Sequence, residues 1–204
     1  MNQPPNDLQR LSKAFYARPT AEVAADLIGN ALLHRSDCGI WVGGWIVETE
    51  AYLGNRDPAS HSARGKTQSN QSMFLDAGSL YVYPIHSRFC LNAVTESAGI
   101  GSAVLIRAIE PVWGIAQMRE RRGLDRLGRL AGGPAMLCEA LAIDRRDDGR
   151  SLLHDEHLGV FRPTGTVQRK IVKTRRIGIS KAAHRLLRFV DADSKFLSRP
   201  YRPR

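Results

Sequence analysis

Trp45-Ile46-Val47-Glu48-Thr49-Glu50-Ala51-Tyr52 is an apolar run that ends in two carboxylates and an aromatic ring. In an extended chain side chains alternate, which puts Ile46, Glu48, Glu50 and Tyr52 on one face and sets two like charges side by side at a cost. Either the strand ends near Glu48 and both carboxylates are solvated, or the pair is held for chemistry. Periodicity alone does not choose between the two glutamates.

Outward from this stretch, the sequence predicts hairpins. Ala31 to His34 and Ile40 to Thr49 read as two strands joined across Ser36-Asp37-Cys38-Gly39, a turn-forming cluster. Before them, Pro19-Thr20 offers an N-cap for a short helix with Val23, Ala24, Leu27 and Ile28 at helical spacing, stopped by Gly29-Asn30. Residues 1 to 14 are polar and aperiodic and are expected to form a loose tail, so that one domain spans 15 to 204. Leu53 to Ala77 is a long aperiodic loop of the kind that carries function. Ser79 to Ile85 and Phe89 to Val94 form a second hairpin with His86-Ser87-Arg88 at its tip, and Pro84 marks it as an edge or a protruding ribbon. Ala103 to Ile109 is a further strand that Pro111 should terminate. Helices are predicted over Trp113 to Arg122 and from Gly133-Pro134 onward. Val167 to Ile179 is extended and basic, and Leu186 to Val190 adds a last strand. The derived fold is mixed α/β (α+β): one domain with a mostly antiparallel, hairpin-rich curved sheet, a few peripheral helices and a protruding β-hairpin.

The 204 residues carry 30 Lys and Arg against 20 Asp and Glu, a formal charge of +10, which favours a polyanionic partner. The excess is also local, since residues 162 to 188 hold nine Lys or Arg and no Asp or Glu. Nucleic acid is the leading partner, because the chain has no apolar run of membrane-spanning length. The polar N-terminus has neither a signal-peptide nor a transit pattern, so a cytoplasmic protein is expected. Cys38, Cys90 and Cys138 are odd in number and widely spaced, and the six His offer no ligand set, so neither disulfides nor a metal site is expected.

Aromatic residues give the second clue. An enzyme that acts on a nucleobase holds it between flat surfaces after pulling it from the stack, and Tyr52, His61, Tyr81 and Tyr83 are available for this. Taken together, Ile46 to Gly54 (IVETEAYLG), Asp57 to Ser62 (DPASHS), Ser79 to Tyr83 (SLYVY), Phe89 to Asn92 (FCLN), Val104 to Pro111 (VLIRAIEP), Gly133 to Ile143 (GPAMLCEALAI) and Arg176 to Ile179 (RIGI) resemble the alkylpurine (3-methyladenine) DNA glycosylases of the mammalian alkyladenine type and their bacterial relatives.

The resemblance implies a monofunctional glycosylase that flips out and hydrolyses alkylated purines (3-methyladenine, 7-methylguanine and hypoxanthine in prospect) from double-stranded DNA. It would act as a monomer, at the bacterial nucleoid and without cofactor. Glu50 matches the family's general base and Arg107 the arginine that helps hold the water, which leaves Glu48 a structural role. Tyr52, His61 and Tyr83 match the residues that contact the flipped base, and Asn92 the one that disfavours guanine. His86 aligns with the intercalating wedge, although the tip Pro84-Ile85-His86-Ser87-Arg88 lacks the Tyr-Gly tip of relatives. Lys66, Arg176, Ser180 and Lys181 fall where the DNA backbone is gripped, while Ser69 stands where an arginine is expected. Two alternatives compete: a glycosylase with lyase activity, for which Lys66 would be the nucleophile, and a non-catalytic module for damaged or structured nucleic acid.

Overall fold

The computed structural model describes residues 4–5, 7–165 and 168–201. In chain order the elements are β1 (Leu8–Arg10), α1 (Lys13–Tyr16), α2 (Thr20–Asp26), β2 (Ala31–Arg35), β3 (Trp41–Tyr52), β4 (Leu80–Ile85), β5 (Arg88–Thr95), β6 (Ser102–Trp113), α3 (Ile115–Arg122), α4 (Pro134–Leu141), β7 (Leu158–Pro163), β8 (Ile171–Thr174) and β9 (Arg188–Asp191). Among the described residues nine strands make one antiparallel sheet in the order β1-β7-β2-β3-β6-β5-β4, with β9 on β3 and β8 on β9. This is the mixed α/β, hairpin-rich architecture expected.

β3 is the axis. One edge pairs with β6 along its length; the other pairs with β2 over Trp41 to Trp45 and with β9 over Glu48 to Glu50. Helices α2 and α4 cover one sheet face, where Leu27, Ile46, Leu80, Val82, Leu91, Ile106, Ile109, Met118 and Leu137 form the main core. Simple alternation along β3 fails at Val47. The register runs Ile46↔Ile109, Glu48↔Ala108, Thr49↔Ile106, so Val47 is extra on β3 and Arg107 is extra on β6. Each extra residue rephases its strand. Ile46 therefore packs in the same core as Ala51, and the face shared by Glu48, Glu50 and Tyr52 begins only at Glu48.

The structure corrects four further expectations. The loose tail ends by residue 8: Leu8–Arg10 pairs with β7, and the Arg10 guanidinium lies 4.6 Å from the Phe161 ring centre and donates to the Leu152, Asp155 and Leu158 carbonyls. Pairing with a distant strand and one arginine's hydrogen bonds hold it, neither of which hydrophobic periodicity registers; residues 1–3 and 6 lie outside the described residues. Pro111 does not end β6. It pairs with Gly44 beside a register shift, where the missing proline N–H is tolerated and where a side chain at Gly44 would collide with the Glu110 carbonyl. Thr20 does not cap α2; Pro19 holds that position and the Thr20 hydroxyl donates to Glu96 at 2.6 Å. Of the basic stretch expected to be extended from Val167 to Ile179, only Ile171–Thr174 is strand, and Val167 lies outside the described residues.

Candidate active site

The sheet face opposite the main core carries a cavity. Tyr52 from β3, Leu105 and Arg107 from β6, Cys90 and Asn92 from β5, and Tyr81 and Tyr83 from β4 line this cavity of about 490 Å³, closed by His61 and Met73 from the long loop and by Ile177 to Ile179. The neighbours of these residues, Leu80, Val82, Leu91, Val104 and Ile106, turn the other way into the core. Strand alternation thus sorts core from cavity.

Both carboxylates of the opening stretch are fully buried, which rules out the solvated alternative. Their surroundings differ. Glu48 accepts four hydrogen bonds: from Arg107 Nε (2.9 Å) and Arg188 Nε (2.8 Å), and from the Ser198 amide (2.6 Å) and hydroxyl (2.7 Å). Three of these fall on Oε1 and one on Oε2, and two of the donors are guanidinium groups, so Glu48 is held by more donors, and more charge, than its neighbour. Burial pushes its pKa up, but the hydrogen bond and charge of Arg188, with Arg107 and Ser198, bring it below the ordinary carboxylate value. Glu50 accepts three, from the Ile177 amide (2.8 Å), the Tyr52 hydroxyl (2.9 Å) and Arg107 Nη1 (3.2 Å). One acceptor position stays open. Burial dominates here and raises its pKa; Arg107, Ile177 and Tyr52 offset part of the rise, and the Glu48 charge adds to it. The three donors that hold Glu50 all belong to residues lining the cavity.

Arg107 joins the two carboxylates with one guanidinium, and their charges raise its pKa despite burial. Its placement follows from the bulge that makes it the extra residue of β6. On the opposite wall, Tyr81 and Tyr83 stack at 5.4 Å between ring centres, His61 sits edge-on to Tyr83 at 4.5 Å, and His61 Nδ1 shares a 2.9 Å hydrogen bond with the Tyr81 hydroxyl. Partial burial lowers the His61 pKa. Asn92 is buried and donates to the Tyr81 carbonyl at 3.0 Å. Tyr52, His61, Tyr83, Asn92 and Arg107 thereby line one cavity, and Glu50, fully buried, lies directly behind its wall, bonded to the lining residues Tyr52, Arg107 and Ile177.

The residues assigned to DNA separate into two groups. His86 is exposed at the tip of the β4–β5 hairpin with a positive φ of 46°, and Ile85 beside it is 41% exposed and reaches the cavity lining. Lys66, Ser180 and Lys181 are exposed, and Lys181 borders a second concavity that shares His61, Tyr81, Tyr83 and Pro84 with the first. Arg176 is different. Its side chain has no exposure and pairs with the equally buried Asp57, so it cannot reach a DNA backbone. Arg188 and Arg169 are also turned inward, onto Glu48 and onto Asp191, so the basic segment is in part internal wiring. Sequence reading missed the Ile177 amide and Ser198, because a backbone donor has no side-chain signal and Ser198 contacts a residue 150 positions away. Among the described residues no group of three His, Cys, Asp or Glu could hold a metal ion, and no helix is long and apolar enough to cross a membrane.

Comparison with known proteins places this geometry. The chain is 50% identical over 195 residues to a protein of Rhodopirellula baltica (93% of this chain, 83% of that one). It is 46% identical over 193 residues to one of Methanoculleus marisnigri (93% and 98%) and 46% identical over 192 residues to one of Rhodopseudomonas palustris (94% and 89%). Each of these relatives bears the name "Putative 3-methyladenine DNA glycosylase". The family model described as methylpurine-DNA glycosylase matches residues 14–195, which take in every element from α2 to β9, and the chain belongs to that family.

Proposed function

We propose that this chain is a monofunctional DNA glycosylase of the alkyladenine type that flips alkylated purines out of double-stranded DNA and releases them by hydrolysis. The observation that carries the reading is the incompletely satisfied, pKa-raised carboxylate of Glu50, held by three donors at the wall of an aromatic cavity. A water at its open acceptor position gives up a proton to Glu50 as its oxygen bonds to the sugar C1′. The bond from C1′ to the base nitrogen breaks with its electron pair going to the base, leaving a free purine and an abasic sugar. As positive charge builds on the sugar, the ionised carboxylate stabilises it electrostatically. Arg107, bonded to the same carboxylate, is the residue proposed to help hold the water.

Selectivity in this reading comes from the leaving group and the walls. A base such as 3-methyladenine or 7-methylguanine carries positive charge, leaves as a neutral molecule and is drawn to the faces of Tyr52 and Tyr83 by cation–π attraction. A damaged base also costs less to unstack and flip. Asn92 is the residue proposed to disfavour guanine. None of the residues lining the cavity is a lysine, which supports hydrolysis over a Schiff-base lyase. The exposed Lys66, Ser180 and Lys181 are proposed to grip phosphates and His86 to fill the gap left by the flipped nucleotide; the protein would act as a monomer in the cytoplasm at the nucleoid. Incubation with duplexes carrying 7-methylguanine, 3-methyladenine or hypoxanthine, followed by quantification of abasic sites, tests the reading. Release of at least one base is expected; salt-sensitive binding with no release would replace it with a binding module.

A further inference from the structure

Arg176 and Asp57 hold a place in this site that the glycosylase reading does not use. Both side chains have no exposure. The guanidinium forks onto the carboxylate, Nη2 to Oδ1 at 2.8 Å and Nη1 to Oδ2, and Nη1 also donates to the Ala51 carbonyl at 2.9 Å. Asp57 further accepts from the amides of Leu53 (3.3 Å) and Ala59 (3.2 Å). The pair thus ties the end of β3, which carries Tyr52, to the loop that carries His61 and to the segment whose next residue, Ile177, donates to Glu50. Replacing a buried ion pair by well-packed apolar groups is commonly neutral or stabilising, so stability alone does not account for this one. The Arg176 Nε is moreover buried without a hydrogen-bond partner, a cost the position carries.

The location of the charge suggests its use. The Arg176 guanidinium carbon lies 4.6 Å from the Tyr52 ring centre, covering one face, while Tyr52 also lines the cavity. A cation on one face draws π density toward itself and weakens the attraction that the other face exerts on a second cation; it leaves stacking with a neutral base almost unchanged. Asp57, gripping the outer end of the guanidinium, moderates the effect.

We propose that Asp57–Arg176 is a positioning pair that sets how far Tyr52 favours a charged purine over a neutral one, while keeping the Ile177 amide on Glu50. The inference rests on the glycosylase reading and sharpens its substrate preference. Its measure is the ratio of single-turnover release rates for duplexes carrying 7-methylguanine (cationic) and hypoxanthine (neutral).

Arg176→Lys keeps the charge and loses the fork: both rates fall together and the ratio holds. The double variant Asp57→Asn/Arg176→Met removes the charge without stranding Asp57, and the ratio rises by about fivefold, the scale of a cation–π contact. Asp57→Asn alone leaves the cation unmoderated and lowers the ratio. An unchanged ratio in a folded double variant, or shifts of the same sign in the last two, overturns the inference. If the double variant does not fold, the sign of the Asp57→Asn shift decides; if neither folds, a changed ratio in Arg176→Lys overturns it and a constant ratio at reduced rate supports it. A wild type that releases 7-methylguanine and no hypoxanthine also overturns it. Release of neither base strikes the glycosylase reading itself.

Discussion

Glu48 and Glu50 stand two residues apart on one strand, share Arg107, and are equally shut away from solvent, yet they are held in opposite ways. The Glu48 side closes on itself: two arginines and both polar groups of Ser198 occupy its oxygens, and its pKa falls. The Glu50 side is built with weaker donors, an amide, a phenol and one longer arginine contact, and its pKa rises. Burial by itself raises both; the count and charge of the donors decide the net direction. In the proposed mechanism Glu48 is a structural anion and its neighbour Glu50 the base.

The contrast breaks most readily at the chemical step. Glu50→Gln is expected to lower single-turnover base release by about 10²–10⁴-fold, the range of a lost general base, with affinity for abasic DNA preserved. Activity within tenfold of wild type would leave Glu50 no more than a structural residue. Glu48→Gln should retain measurable release in the protein that remains folded.

Stability is expected to order the two variants the other way. Glu48→Gln strands two buried guanidinium partners and should cost about 3–5 kcal/mol in denaturant unfolding at neutral pH. Glu50→Gln removes a charge that burial disfavours and should be close to neutral or stabilising. Equal losses would erase the distinction between the two sites.

The pH dependence sharpens it further. Base release should fall on the acid side through a midpoint above the ordinary carboxylate range, because Glu50 must be ionised to act and its pKa is raised. The linkage signs are opposite. The stability supplied by Glu48 is present above its unfolded pKa and is lost as pH falls through its lowered folded value. That of Glu50 is present in acid and is lost as pH rises through its raised folded value. The destabilisation by Glu48→Gln should therefore shrink only at pH below the ordinary carboxylate range, which unfolding titrations of both variants can measure.

The smallest expected effect lies outside the pair. His86→Ala, at the exposed tip, should slow single-turnover release by less than about tenfold, since only a wedge is lost and the pocket is intact. No change would move the wedge to Ile85, which borders the cavity.

Residue patterns carried most of this architecture. Alternation and turn clusters anticipated β2 through β6, and the grouped motifs named the residues that meet around the cavity. What escaped them depends on long-range partners. β7 and β1 were not anticipated, since β1 is held by Arg10 donating to carbonyls 142 to 148 positions away. Arg176 looked like a phosphate ligand because a basic run gives no sign that Asp57 waits inside the fold. Two of the four bonds to Glu48 come from Ser198, and no local spacing predicts that contact.

The extra residues at Val47 on β3 and Arg107 on β6 compensate each other, so the two strands leave the bulge in step. Together they act like a paired insertion in a reading frame. Deleting Val47 alone would re-face the rest of β3, sending Glu50 and Tyr52 toward the helices and Ala51 into the cavity, and deleting Arg107 alone would likewise exchange Leu105 and Ile106 on β6. A single-residue deletion there should be more damaging than any substitution of the charges it carries, and length changes at this point of the sheet can be tolerated only when both strands change together.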